Sequence, residues 1–210
     1  MVGNTYHWSI ATNSGLEAVG PYRNGASVWI NAETFRKIAD PYVHVEAVYT
    51  VNNWVTQTGV PLERNGTNGN NDLWHKLIGS FNSSNDSVNV KYYIHAWDDN
   101  PSSADLYDNN NGANYSFTVQ APPYVTIDYP QENEVIISPV YTIRIGASAS
   151  TNNVRVKIDT GDWSQCYFAS GYWWFVWANY PAGTHQMISE GWDVLGQRSE
   201  TLVRHCSYAP

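Results

Sequence analysis

The sequence predicts an all-β protein: two tandem antiparallel β-sandwich domains, both immunoglobulin-like. Three observations carry this. Apolar and polar residues alternate along much of the chain, the period of a strand with one buried face, and helical periodicity is nearly absent. The alternating runs are short and are separated by turns rich in Asn, Gly and Ser. Midway, Pro122-Pro123 interrupts the pattern. Proline fixes φ and donates no hydrogen bond, so the pair favours an extended connector.

The elements follow in order. Val28, Ile30 and Ala32 form one face of a strand, with Trp29 and Asn31 on the other. Val43, Val45, Ala47 and Tyr49 alternate with His44, Glu46 and Val48. A longer run places Val88, Val90, Tyr92, Ile94 and Ala96 on the core side, and Asn89, Lys91, Tyr93, His95 and Trp97 on the other. Tyr115, Phe117 and Val119 make the last strand before the prolines. The Asn-rich stretches Asn65 to Asn71 and Asn82 to Asn89 read as loops. A boundary near residue 121 divides the chain into domains 1–121 and 122–210. The second domain starts with Val125 and Ile127. It continues with strands at Tyr141 to Ala147, Val154 to Ile158, Tyr172 to Trp177, Thr184 to Ser189 and Thr201 to Tyr208. Some 90 residues with about six or seven strands suit an immunoglobulin-like sandwich.

Composition narrows the function. With 11 Lys+Arg against 19 Asp+Glu the formal net charge is -8, and no basic cluster is present, which argues against a nucleic-acid partner. No apolar run approaches the roughly 18 residues of a membrane span. The start, Met1-Val2-Gly3-Asn4, leads straight into polar sequence, so no signal peptide is expected and the chain reads as a mature or excised piece. Cys166 and Cys206 form either a disulfide or two buried thiols, since spacing alone does not decide. The six His residues are scattered without metal-ligand spacing, so no metal and no cofactor is expected. The acids Asp98-Asp99, Asp105 and Asp108 sit in turn-like loops, and no nucleophile–base motif occurs. The chain is therefore expected to be non-catalytic.

What remains is aromatic and amide-rich. There are 10 Trp and 15 Tyr against 5 Phe, an excess of polar-tipped rings that suits a surface better than a core. Tyr107-Asp108-Asn109-Asn110-Asn111-Gly112-Ala113-Asn114-Tyr115 sets consecutive amides beside an aromatic ring. Asn tolerates left-handed backbone, and its amide offers donors and an acceptor at fixed angles. Flat rings with adjoining amides fit a ligand with apolar faces and many hydroxyls, which describes a sugar. In the second domain, the run Tyr172-Trp173-Trp174-Phe175-Val176-Trp177 splits by parity into two faces, only one of which can enter a core. Trp163, Trp173 and Trp177 are the candidates there for a second sugar platform; a domain interface is the competing reading.

The segment Val28 to Val119 resembles the starch-binding modules of carbohydrate-binding module family 21, with families 25 and 53 similar to it. Three blocks carry the likeness in order: Val28 to Lys37, Val43 to Trp54, and Tyr92-Tyr93-Ile94 followed by Tyr107 to Tyr115. The resemblance implies one sugar site at Trp54, Tyr93 and Tyr107. It implies a second at Phe35, Lys37 and Asn109, with Asn111 and Asn114 as ligands or turn supports. Phe35 departs from the tyrosine often found in the family, and Gly59 to Asn71 does not align. Residues 124 to 208 resemble bacterial immunoglobulin-like domains appended to secreted glycosidases, through Asp159-x-Gly161-x-Trp163, Gly183-x-His185 and Asp193-x-x-Gly196. The implied role is non-catalytic binding of α-1,4-glucan (starch, glycogen or maltooligosaccharide), anchoring an amylase-type enzyme to polysaccharide. A targeting protein that holds a partner to glycogen, or a module for another glycan, is the alternative. A secreted or periplasmic monomer that binds neither nucleic acid nor membrane is expected.

Overall fold

The computed structural model describes residues 5–12, 21–35, 44–83, 87–99 and 104–210, and the chain forms two compact units, Met1–Ala121 and Pro122–Pro210. The described residues are all strand, turn and coil.

Unit 1 runs β1 (Thr5–Thr12), β2 (Tyr22–Arg23), β3 (Ser27–Phe35), β4 (His44–Thr50), β5 (Thr58–Pro61), β6 (Glu63–Asn68), β7 (Asn71–Ser80), β8 (Val88–Trp97), β9 (Leu106–Asp108) and β10 (Tyr115–Gln120). One sheet has the order β1-β3-β7-β6; the other has β2-β10-β8-β4-β5, with β9 also beside β8. The core lies between them, built by Val28, Ile30 and Ala32 of β3, Trp74 and Ile78 of β7, Val45 and Ala47 of β4, and Val90, Tyr92, Ile94 and Ala96 of β8. The alternation read from the sequence is thus the burial pattern itself on β3 and β8. At about 25 cal/mol per Å2 of apolar surface, such fully buried side chains are the main source of stability.

Unit 2 repeats this plan. It runs β11 (Val125–Tyr129), β12 (Glu134–Ile136), β13 (Val140–Ala147), β14 (Thr151–Ile158), β15 (Ser164–Gln165), β16 (Tyr167–Ala169), β17 (Tyr172–Ala178), β18 (Gly183–Asp193), β19 (Arg198–Glu200) and β20 (Arg204–Tyr208). The sheet orders are β11-β13-β17-β16 and β12-β20-β18-β14-β15, with β19 beside β18. Strand for strand, this is the topology of unit 1.

Two details differ from expectation. The sandwiches are antiparallel except at β2–β10 and β12–β20, which pair parallel. In each unit the chain passes from the first sheet to the second between its first two strands, so the second strand enters beside the last one. The stretch Asn65 to Asn71, expected as a loop, belongs to the hairpin β6–β7 and turns at Gly69 (φ 57°) and Asn70. Strand β6 is exposed along its length and so has no apolar face to betray it. Of the second expected loop, Asn82 to Asn89, residues 84–86 lie outside the described residues, and Val88 and Asn89 open β8.

Candidate functional site

Strand β8 shares one edge between two partners. Its first half pairs with β10, ending at Tyr92↔Tyr115; its second half pairs with β9, starting at Ile94↔Asp108. Residues 109–114 leave the sheet between these pairs, opposite Tyr93. Four of them hold left-handed backbone: Asn110 (φ 52°), Asn111 (φ 55°), Gly112 (φ 92°) and Asn114 (φ 60°). Asn and Gly are the residues that adopt this at least cost. The turn closes on Asn109. Its carbonyl accepts from the Gly112 and Asn114 amides (3.1 and 2.8 Å), and its Oδ1 accepts from the Gly112 amide at 3.0 Å. At the turn's exit the Tyr115 hydroxyl donates to Asp108 Oδ1 at 2.9 Å; burial first, then this bond, pushes the Tyr115 phenol up to about 12.

Trp54 comes from the turn after β4. Asn53 (φ 54°) and Trp54 (φ 70°) are both left-handed, which is ordinary for Asn and costly for a bulky ring, on the order of 1–3 kcal/mol. Buried Thr50 holds the turn: its Oγ1 accepts the Trp54 N–H at 3.0 Å and donates to the Thr56 carbonyl at 2.7 Å. Asn52 adds a second tie, its Oδ1 accepting the Thr56 N–H at 3.0 Å, and Lys91 of β8 donates to Asn53 Oδ1 at 2.8 Å. The turn aims an indole at the outer face of β8 instead of relaxing it away.

There the three rings meet. Trp54 and Tyr93 lie 5.5 Å apart between centroids, and Tyr93 and Tyr107 lie 6.1 Å apart, tilted by 35° and 54°. With Gln57, Asn109 and Asn114 they line an open cavity of about 370 Å3. Partial burial raises the Tyr93 phenol above its ordinary value, with Glu46 and Tyr107 adding to it; desolvation and then Asp105 do the same to Tyr107. Both hydroxyls therefore keep their protons at physiological pH and remain donors. Aromatic faces, amides and neutral hydroxyls around an open groove can stack on and hydrogen-bond a polyhydroxylated ligand. Among the described residues no group of three or more potential metal ligands occurs, and no helix is long and apolar enough to cross a membrane.

The expected site residues divide as follows. Trp54, Tyr93 and Tyr107 come together. Asn109, expected with Phe35 and Lys37, lines the same cavity as those three; Asn114 lines it too. Asn111 is exposed, shapes the turn, and is not among the cavity-lining residues. Lys37 lies outside the described residues, and Phe35 is described only by its backbone pairing with Asn71. Gln57 was missed; an amide three residues past the turn Trp was the available signal.

The second platform is corrected. Trp173 and Trp177 are 9% and 8% exposed and belong to the core of unit 2. Trp177 stacks on Tyr180 at 3.9 Å and meets His185 edge-on at 4.8 Å. The outward face of β17 is the other parity, Tyr172, Trp174 and Val176. Its Tyr172 ring is covered by the Arg144 guanidinium at 4.5 Å, which also caps Tyr129. Trp163 lies against the other sheet, under the Arg155 guanidinium at 4.6 Å. The three tryptophans therefore form no common surface. Cys166 and Cys206 are two free, buried thiols.

No protein-family profile and no curated protein matches the chain. Solved structures share only coarse likeness. Fibronectin(III)-like modules of Clostridium thermocellum CbhA align at 15% identity over 95% of this chain and 92% of theirs, with a TM-score of 0.36. An engineered protein aligns at 19% identity over 43% of this chain and 21% of its own, with a TM-score of 0.37. Dimeric latent PorU of Porphyromonas gingivalis aligns at 13% identity over 98% of this chain and 20% of its own, with a TM-score of 0.33. At such scores and identities these likenesses carry no argument about function.

Proposed function

We propose that unit 1 is a non-catalytic glycan-binding module for α-1,4-glucan, of the kind found in carbohydrate-binding module family 21. The observation that carries this is the convergence of Trp54, Tyr93 and Tyr107 with Gln57, Asn109 and Asn114 on one open cavity. Glucose rings stack on the three aromatic faces. Because Asn109 Oδ1 is engaged by the Gly112 amide, its Nδ2 donors are the part offered to sugar hydroxyls. Each stack is worth on the order of 1 kcal/mol by analogy with aromatic pairs, so a single module binds weakly. Anchoring of an appended amylase-type enzyme to polysaccharide, by a secreted monomer, is the role this fits. Avidity from further modules would add to the apparent affinity.

Affinity electrophoresis in amylopectin gels tests the reading. The chain is expected to be retarded, and Trp54→Ala to lose about fivefold in affinity while remaining folded. Equal, unretarded mobility of both proteins would sink it.

A further inference from the structure

Tyr107 is the most exposed ring of the cavity, 53% accessible, on a strand of three residues. Something must hold it. Behind it the His95 ring lies parallel, 4.5 Å away at an interplanar angle of 4°. His95 in turn stacks on Trp97 at 4.5 Å and 21°, and Trp97 on His44 at 5.0 Å and 23°. This column covers one face of Tyr107, and Tyr93 and the cavity lie near the ring as well.

The His95 ring is itself clamped. Its Nδ1 lies 3.1 Å from Glu46 Oε1, on β4, and its Nε2 lies 3.0 Å from Asp105 Oδ2, just before β9. Asp105 Oδ2 also receives the Tyr107 hydroxyl at 3.4 Å. A carboxylate only accepts, and neutral imidazole has one N–H; only imidazolium donates to both acids at once. Gly59 of β5 leaves the room that Glu46 occupies: a Cβ there would come within 2.6 Å of Glu46 Oε2.

We propose that His95, as an imidazolium held between Glu46 and Asp105, is a positioning residue that presets Tyr107 for glycan stacking and makes binding pH-dependent. The ligand part of this rests on the glucan reading above. When His95 loses its proton, one ring nitrogen presents a lone pair to a carboxylate, that contact becomes repulsive, and the column backing Tyr107 loosens. The groups facing His95 are Glu46 from β4, Asp105 and Tyr107 from the β9 side, and Tyr93 and Trp97 on its own strand; His44, bonded to Asp99 at 2.8 Å, stands beyond Trp97.

The test is titration calorimetry with maltoheptaose, together with aromatic carbon–proton spectra of the free chain. Affinity is expected to fall roughly fivefold between about pH 5.5 and about pH 8.5. His95→Phe keeps a stacked ring without charge and is expected to bind weakly with a flat profile; His44→Gln is expected to keep the dependence. A His95→Phe variant that binds like the parent at low pH, or a dependence that vanishes with His44→Gln instead, overturns the proposal. In the free chain the Tyr107 ring resonances are expected to move across the same pH interval and to stay fixed in His95→Phe. Resonances that ignore His95 overturn it whether or not maltoheptaose binds. Tyr107 following His95 in a chain that binds no glucan upholds the positioning role and refutes the glucan reading alone.

Discussion

The two units share a topology and differ in the aromatic side chains beside the excursion that precedes the last strand. In unit 1 the outward face of β8 carries Tyr93, His95 and Trp97, and the excursion between β9 and β10 is six residues long, 109–114. In unit 2 the corresponding excursion between β19 and β20 is three residues, 201–203. Beside it lies a smaller cleft of about 280 Å3, where Ile188 and Val203 stand among Lys157, Asp159 and Glu200. Its one indole, Trp163, is under Arg155, which also covers Trp192 at 5.0 Å. Arg155 is fixed by an ion pair to Glu190, a carboxylate only 1% exposed that Arg198 also holds at 3.2 Å. A guanidinium laid on an indole stabilises the sandwich and removes that face from any ligand. The same scaffold thus yields an open ring cluster where the excursion is long and rich in amides, and a cleft whose one indole lies under Arg155 where it is short.

The strongest way to break this comparison is to exchange the roles of two tryptophans. Trp177→Ala empties a core position between Tyr180 and His185, and large-to-small core changes of this kind cost about 3–5 kcal/mol. Urea unfolding should show unit 2 losing that much, while retardation in amylopectin stays at the parent level. Trp54→Ala should do the reverse. Loss of retardation in Trp177→Ala at unchanged stability would mean that unit 2 presents the platform after all.

Alkaline pH separates the units by a second route. Both cysteines lie in unit 2, and burial pushes the Cys166 thiol up to about 12 and Cys206 to about 11. An exposed thiol titrates near 8.5, so between that value and the folded one the native state keeps protons that the unfolded chain has released. Native binding of more protons makes stability fall as pH rises, by at most about 1.4 kcal/mol per pH unit for each thiol. Thermal unfolding between about pH 8.5 and 10 should therefore shift unit 2 downward, and Cys166→Ala with Cys206→Ala should flatten that slope. Above this window the buried phenols of unit 1 join, since burial raises Tyr22 to about 12 and Tyr92 further.

Much of unit 1 was legible because β3 and β8 follow strict parity: β8 buries Val90, Tyr92, Ile94 and Ala96, which leaves Tyr93 and His95 outside by necessity, whereas β4 buries Ala47 and Val48 side by side. Strand β7 was not legible. Its buried face includes Asp72, which reads as polar until Arg64 is seen donating to it at 2.9 and 2.7 Å, and Trp74, whose indole donates to Thr34. The His95 clamp joins Glu46, His95 and Asp105 across three chain segments, and no local spacing reveals such a pairing. In unit 2 parity defined two aromatic faces of β17 and could not say which one points inward, because both are large and apolar. The core resolved it in favour of Trp173 and Trp177, with Arg144 lying over Tyr172 on the outer face.

The finest distinction concerns the amide turn itself, where a residue can shape the excursion without touching the ligand. Asn111 is exposed with φ at 55°, whereas Asn109 and Asn114 line the cavity. A left-handed position costs an ordinary side chain about 1 kcal/mol and costs Gly almost nothing. Asn111→Gly should hence keep both stability and maltoheptaose affinity, while Asn111→Ala should lose about 1 kcal/mol of unit 1 stability. Its affinity should fall only as far as the turn loosens. Asn109→Gly should behave differently, losing affinity despite a compliant backbone, since the ligand loses its amide partner while the Gly112 N–H keeps the carbonyl of residue 109. If Asn111→Gly weakens binding as much as Asn109→Gly does, the long excursion of unit 1 contacts ligand along its whole length. The contrast with unit 2 would then lie in the number of amides offered more than in the shape of the turn.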